Sequence, residues 1–130
     1  MRLTVQQMME AANAAVERID GQKAQEMVAQ GALLLDIRDA PELQNAGRAV
    51  GAHHVPRGML EFRADPATQF HDPEMRFDRP IVLHCASGGR AALAGKLLKD
   101  MGYGQVFNMG GLDDWKKSGG PMIEPVDQGM

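Results

Sequence analysis

Apolar residues recur at Val5, Met8, Met9, Ala12 and Val16, the i, i+3, i+4, i+7, i+11 spacing of one helical face. Thr4, three residues before Gln7, has the form of a capping box, so a helix is expected to begin there. The polar side of that helix carries Gln, Glu and Asn rather than Lys and Arg. This favours a packing face, or a contact between two copies, over a membrane anchor. A second helical stretch, 22–30, stops at Gly31, a residue type that helix C-termini favour. The pattern then changes, because Ala32-Leu33-Leu34-Leu35-Asp36-Ile37 is apolar throughout except for one acid. Continuous rather than alternating apolarity marks a strand buried on both faces, as in parallel sheets. Ile81-Val82-Leu83-His84 repeats this pattern after Pro80, and Gln105-Val106-Phe107-Asn108 is a weaker third case. Between those two lies a helix over 89–101, rich in Ala and Leu and closed by Gly102. Strand, tight turn, helix, strand is a βαβ unit, so an α/β fold is expected.

The middle of the chain, 51–79, is rich in Pro, Asp, His and Arg and reads as a long connection with a short helix near 58–63. The expected organisation is an N-terminal amphipathic helix over 1–15, a single α/β domain over 16–123 and a loosely held tail over 124–130.

Composition narrows the chemistry. With 130 residues, 44% of them hydrophobic, the chain is long enough to bury a core without metal or disulfide staples. Fourteen basic residues against seventeen acidic ones give a net charge of −3, which argues against a sequence-independent nucleic-acid binder. One cysteine excludes an intrachain disulfide, a Cys-x-x-Cys redox pair and a multi-cysteine zinc site. His53, His54, His71 and His84 lack the spacing that puts three ligands on one rigid element, and no phosphate-binding Gly-x-x-x-x-Gly-Lys run occurs. Neither a metal nor another cofactor is therefore expected. Strictly apolar runs such as Ala32 to Leu35 fall far short of the roughly 20 residues that span a bilayer. The first residues also lack an apolar stretch of signal-peptide length, so no membrane contact and a cytoplasmic location are expected.

The informative segment is Leu83-His84-Cys85-Ala86-Ser87-Gly88-Gly89-Arg90. The lone cysteine stands between a buried-type strand and a helix, in a turn of small residues. Such a turn can curl with its N–H groups directed at the sulfur. The helix start adds the positive end of its dipole, and Arg90 a permanent charge. Hydrogen bonds to a charged acceptor are worth about 1.5–3 kcal/mol each, enough to favour a nucleophilic thiolate. A small buried hydrophobe at a strand end is the competing reading of Cys85, and the strand–Cys–Gly–Arg–helix context outweighs it. Tyrosine-phosphatase-type loops place five residues between Cys and Arg to wrap a phosphate. Here four lie between Cys85 and Arg90, a smaller pocket that suits a single sulfur atom. His84 precedes Cys85 on a strand and so points to the opposite face, a poor position for a Cys–His ion pair.

Four separated blocks together resemble the rhodanese (thiosulfate sulfurtransferase-like) family, in a single-domain form. They are Asp36-Ile37-Arg38-Asp39-Ala40-Pro41-Glu42; Gly47-Arg48-Ala49-Val50-Gly51-Ala52 with Val55-Pro56; Cys85 to Arg90; and Gly110-Gly111 with Trp115, Gly119 and Pro121. The resemblance implies a central, mostly parallel five-stranded sheet flanked by helices, with an extra N-terminal helix. It implies that Cys85 takes a sulfane sulfur from a small donor, thiosulfate or a persulfide, and passes it to a thiol or cyanide, with a protein persulfide as a further candidate partner. The N–H groups of Ala86, Ser87, Gly88, Gly89 and Arg90 would then hold the outer sulfur. Asp36, Arg38 and Glu42 would tie the loop ends to the sheet. Arg57 is either a contact for an anionic substrate or a solvated charge, and Ser87 either a donor to the persulfide or a turn closer. Trp115 is expected as a core lid. Arg48 and Ala49 depart from the family's His and Ile. Neutral Ala86 and Ser87 stand where some members carry basic residues, which weakens the field felt by thiosulfate. The rivals are a non-catalytic persulfide-binding or sulfur-carrier module and, less favoured, a phosphatase or arsenate reductase.

Overall fold

A computed structural model describes residues 2–125. The chain runs α1 (Val5–Ala15), β1 (Glu17–Arg18), α2 (Gly21–Ala29), β2 (Leu33–Asp36), α3 (Ala40–Ala46), β3 (Arg48–Ala49) and β4 (His53–His54). A 3-10 turn (Arg57–Met59) leads into α4 (Leu60–Ala64), followed by β5 (Ile81–Cys85), α5 (Gly89–Asp100), β6 (Val106–Gly111), α6 (Leu112–Lys117) and β7 (Met122–Ile123). The central sheet has five parallel strands in the order β1-β6-β5-β2-β4, and β3 and β7 form a separate antiparallel pair. This is the expected α/β architecture, with the N-terminal helix present.

The apolar runs become strands covered on both faces. Leu33, Leu35, Leu83 and Cys85 pack with Leu60, Ala64, Ala91, Ala94 and Leu98 on one side. Leu34, Val82 and Met109 pack with Ala24, Leu112 and Trp115 on the other. Successive strand residues point to opposite faces, so only an apolar residue at every position fills both layers. Helix α1 carries the expected box: Thr4 Oγ1 accepts from the Gln7 N–H at 3.1 Å, and Gln7 Oε1 accepts from the Thr4 N–H at 2.9 Å. Its apolar stripe is covered only toward its C-terminal end, where Ala12 and Val16 are buried while Val5 remains 66% exposed. A Cβ at Gly95 would lie 3.0 Å from both Val16 methyl groups, so the glycine lets the end of α1 sit close on α5.

The connection over 51–79 contains a strand as well as a helix. β4 pairs with β2, Leu35 opposite His53 and Asp36 opposite His54, and supplies the fifth strand. At two residues, it is too short to show a period. Of the expected tail, residues 126–130 lie outside the described residues. Among the described residues, no helix is long and apolar enough to cross a membrane.

Candidate active site

Cys85 is the last residue of β5, and α5 begins four residues later at Gly89. The strand's burial carries through to the cysteine, which is 1% exposed, while Ala86 and Ser87 stand out at the rim. Gly88 then turns the chain with φ +109°, a left-handed conformation that disfavours any side chain. This turn brings the Gly88 N–H to 3.0 Å from Cys85 Sγ, where it donates a hydrogen bond. The cap of α5 is thus also the donor to the sulfur, and the helix's free N–H groups face the same loop.

The loop rests on the end of β6. A Cβ on Gly111 would lie 2.1 Å from the Ala86 carbonyl oxygen, so only glycine permits that approach. Asn108, buried on β6, donates through Nδ2 to the Gly88 carbonyl at 3.2 Å and accepts from the Gly110 N–H at 2.8 Å. It therefore clamps the residue that serves the sulfur. The β5–β6 register explains its position: Leu83 faces Asn108 but His84 faces Gly110, and Met109 is passed over as a bulge. Nothing in the sequence pattern marks the bulge, and Asn108 stands in it only as the end of a weak strand. A polar residue ending a buried strand just before Gly110-Gly111 was the available signal.

Carboxylates hold the arginines around the loop. Arg90 donates to both oxygens of Glu42, Nη1 to Oε2 and Nη2 to Oε1, each at 2.8 Å. The Arg90 hydrogen bonds hold the Glu42 carboxyl down at about 2, and the same pair raises Arg90 above its ordinary value. Glu42 also accepts from the Asp39 N–H at 2.8 Å, closing the cap of α3. The strut from α3 to α5 therefore begins at a helix cap. Arg38 and Asp36 form a fully buried pair at 2.8 Å, and Arg38 Nη2 also donates to the Gly47 carbonyl at 2.9 Å. Burial disfavours the Asp36 charge, but the Arg38 hydrogen bonds outweigh it and hold its carboxyl below the usual range. His84 is buried on the face opposite Cys85. Its Nδ1–H donates to the Cys85 carbonyl at 3.1 Å, because a carbonyl can only accept. Burial pushes the ring's pKa down against the pull of Asp36, so His84 is neutral at neutral pH.

Of the remaining expected residues, Ser87 stays on the loop and the others lie on other elements. Arg57 is held by Glu61 at 2.9 Å and lines a groove of about 370 Å³ with residues of α1 and α5, among them Met8, Leu93 and Leu97. Ser87 makes no side-chain hydrogen bond among the described residues. Trp115 is buried under the second core layer, its Nε1–H donating to the Pro121 carbonyl at 2.8 Å. Arg48 and Ala49 lie on β3, in the separate antiparallel pair with β7, with Ala49 buried.

A parallel α/β sheet with a cysteine loop between its central strand and a helix defines the class, and the chain belongs to the Rhodanese-like domain family, whose model matches residues 18–118. It is 31% identical over 113 residues to a sulfurtransferase of Allochromatium vinosum, covering 85% of this chain and 97% of that protein. It is 34% identical over 100 residues to the thiosulfate sulfurtransferase GlpE of Haemophilus influenzae, covering 76% and 87%. Among solved structures, a protein of unknown function from Rhodopseudomonas palustris, described as a possible tyrosine phosphatase, aligns with a TM-score of 0.85 at 32% identity, covering 95% and 96%. The polysulfide-sulfur transferase homodimer of Wolinella succinogenes aligns with a TM-score of 0.73 at 28% identity, covering 94% and 88%.

Proposed function

We propose that the protein is a sulfurtransferase that carries a sulfane sulfur on Cys85. The hydrogen bond from the Gly88 N–H to Sγ carries this reading, because it places a fixed donor at the atom that bears negative charge as thiolate. In the first step the Cys85 thiolate attacks the sulfane sulfur of a donor such as thiosulfate. The new Sγ–S bond forms as the donor's S–S bond breaks, and the electron pair leaves with sulfite. The N–H groups of Ala86 through Arg90 hold the charge on the outer sulfur. In the second step a thiol or cyanide attacks that sulfur and the pair returns to Sγ; with cyanide the product is thiocyanate. No metal or organic cofactor takes part. A protein persulfide is a further donor on this reading, and a cytoplasmic location, which keeps a lone thiol reduced, goes with it.

The phosphatase description of one structural relative raises the other chemistry. Two features of this chain favour sulfur. Four residues rather than five separate Cys85 from Arg90, and the Arg90 guanidinium is spent on both oxygens of Glu42 rather than open to a phosphoryl group. The test is turnover of thiosulfate and cyanide to thiocyanate beside hydrolysis of an aryl phosphate, in wild type and Cys85→Ser. Thiocyanate formation that vanishes in the variant is expected. Phosphate release without thiocyanate would overturn the reading.

A further inference from the structure

We infer that Arg18, on β1, is a binding residue for the anionic end of the sulfur donor; this rests on the sulfurtransferase reading. Arg18 faces Asn108 across the β1–β6 pairing and reaches the cysteine loop from the β6 side. Its guanidinium lies in a slot between two glycines of positive φ. A Cβ on Gly110 would meet Nη2 at 2.1 Å, and one on Gly88 would meet Nη1 at 3.3 Å. Gly88 is the residue whose N–H serves Cys85 Sγ at 3.0 Å. Standard backbone lengths then place Nη1 within about 9 Å of the sulfur. A donor with its sulfane sulfur on Sγ and its oxyanion pointing outward extends into that interval.

Arg18 differs from its neighbours in what already holds it. Arg38, Arg57 and Arg90 are each paired to a carboxylate at 2.8 or 2.9 Å. Arg18 is 57% exposed and its nearest carboxylate, Asp114, lies at 3.8 Å, beyond hydrogen-bond length. The Asp114 oxygen involved already accepts the Gly111 N–H at 2.8 Å. Among these arginines Arg18 is thus the guanidinium without a carboxylate at hydrogen-bond distance, and its donors match an oxyanion. It offsets the neutral Ala86 and Ser87 on the rim. The class of ligand is a small sulfur donor ending in a sulfonate, with thiosulfate as the probe.

Two readouts separate this inference from the reading beneath it. Thiosulfate binding is followed by NMR at the Arg18 Nε–H and Gly88 N–H in Cys85→Ser, where no sulfur moves. Sulfur loading is followed by quenched intact mass in proteins that keep Cys85. Arg18→Ala is expected to weaken binding and to raise the half-saturating thiosulfate about five- to tenfold, acting on that concentration more than on the limiting rate. Arg18→Lys should recover part of the loss, added salt should weaken binding less in Arg18→Ala, and Asp114→Asn should tighten binding by removing the competing charge. Unchanged binding in Arg18→Ala overturns the inference, as does an equal fall in limiting rate and melting temperature with binding unaltered. If Arg18→Ala fails to fold, Arg18→Lys and Asp114→Asn decide the matter: no shift in half-saturation in either overturns it. Thiosulfate that binds through Arg18 but never loads wild-type Cys85 overturns the sulfurtransferase reading and leaves the anion site standing.

Discussion

Side chains around Cys85 hold the loop and the elements beside it rather than hydrogen-bond to the sulfur. Asn108 has the most direct hold, since it clamps both Gly88 and Gly110. Asn108→Ala should cost about 1–3 kcal/mol, the penalty for a buried polar group left unmet. It should also slow sulfur loading, because the Gly88 N–H then loses its fixed aim; a thermal melt and a loading rate check both. The Glu42–Arg90 strut has a pH signature. Glu42 titrates near 4.5 when unfolded and at about 2 when folded, so between those values the unfolded chain binds more protons. The strut's contribution is therefore complete above pH 4.5 and is lost as pH falls toward 2. Glu42→Gln should flatten that part of the stability curve, as measured by denaturant unfolding at a series of pH values. The buried Asp36–Arg38 pair has the same sign, its contribution being lost as pH falls below the ordinary aspartate value of 3.8.

At the level of elements, the parts with a long signal were legible and the short ones were not. The continuous apolar runs of β2 and β5 require cover on both faces, and the structure supplies two core layers. The cap at Thr4 and the helix after Cys85 were readable for the same reason, since each rests on several consecutive positions. β1, β3, β4 and β7 have two residues each, and their pairing comes from neighbours distant in sequence. The site divides along the same line. Cys85, Gly88 and Arg90 lie in one short segment, whereas Asn108 and Arg18 reach the loop only through the β1-β6-β5 order. Two predictions belong here. Thr4→Ala should destabilise the protein by about 0.5–2 kcal/mol, seen as a lower denaturant midpoint without loss of sulfur loading. Gly111→Ala should displace the loop, since its methyl group would meet the Ala86 carbonyl at 2.1 Å, and should cut loading by up to about 100-fold.

The candidate site lies at the C-terminal end of a parallel sheet, where strand ends, glycine turns and a helix start converge. Burial there also shapes the response to acid. His84 lies in the interior beside Cys85 with its pKa held down by desolvation, so protons are taken up preferentially by the unfolded chain as pH falls below 6.5. Stability should thus begin to fall below pH 6.5, before the carboxylates titrate, and His84→Asn should remove that first step. The central claim is the covalent carriage of sulfur on Cys85, and intact mass tests it most directly. Thiosulfate should add the mass of one sulfur atom and cyanide should remove it, in a cycle that repeats in wild type but never starts in Cys85→Ser. A sulfur adduct in Cys85→Ser, or a folded wild-type protein that gains no sulfur, would contradict it.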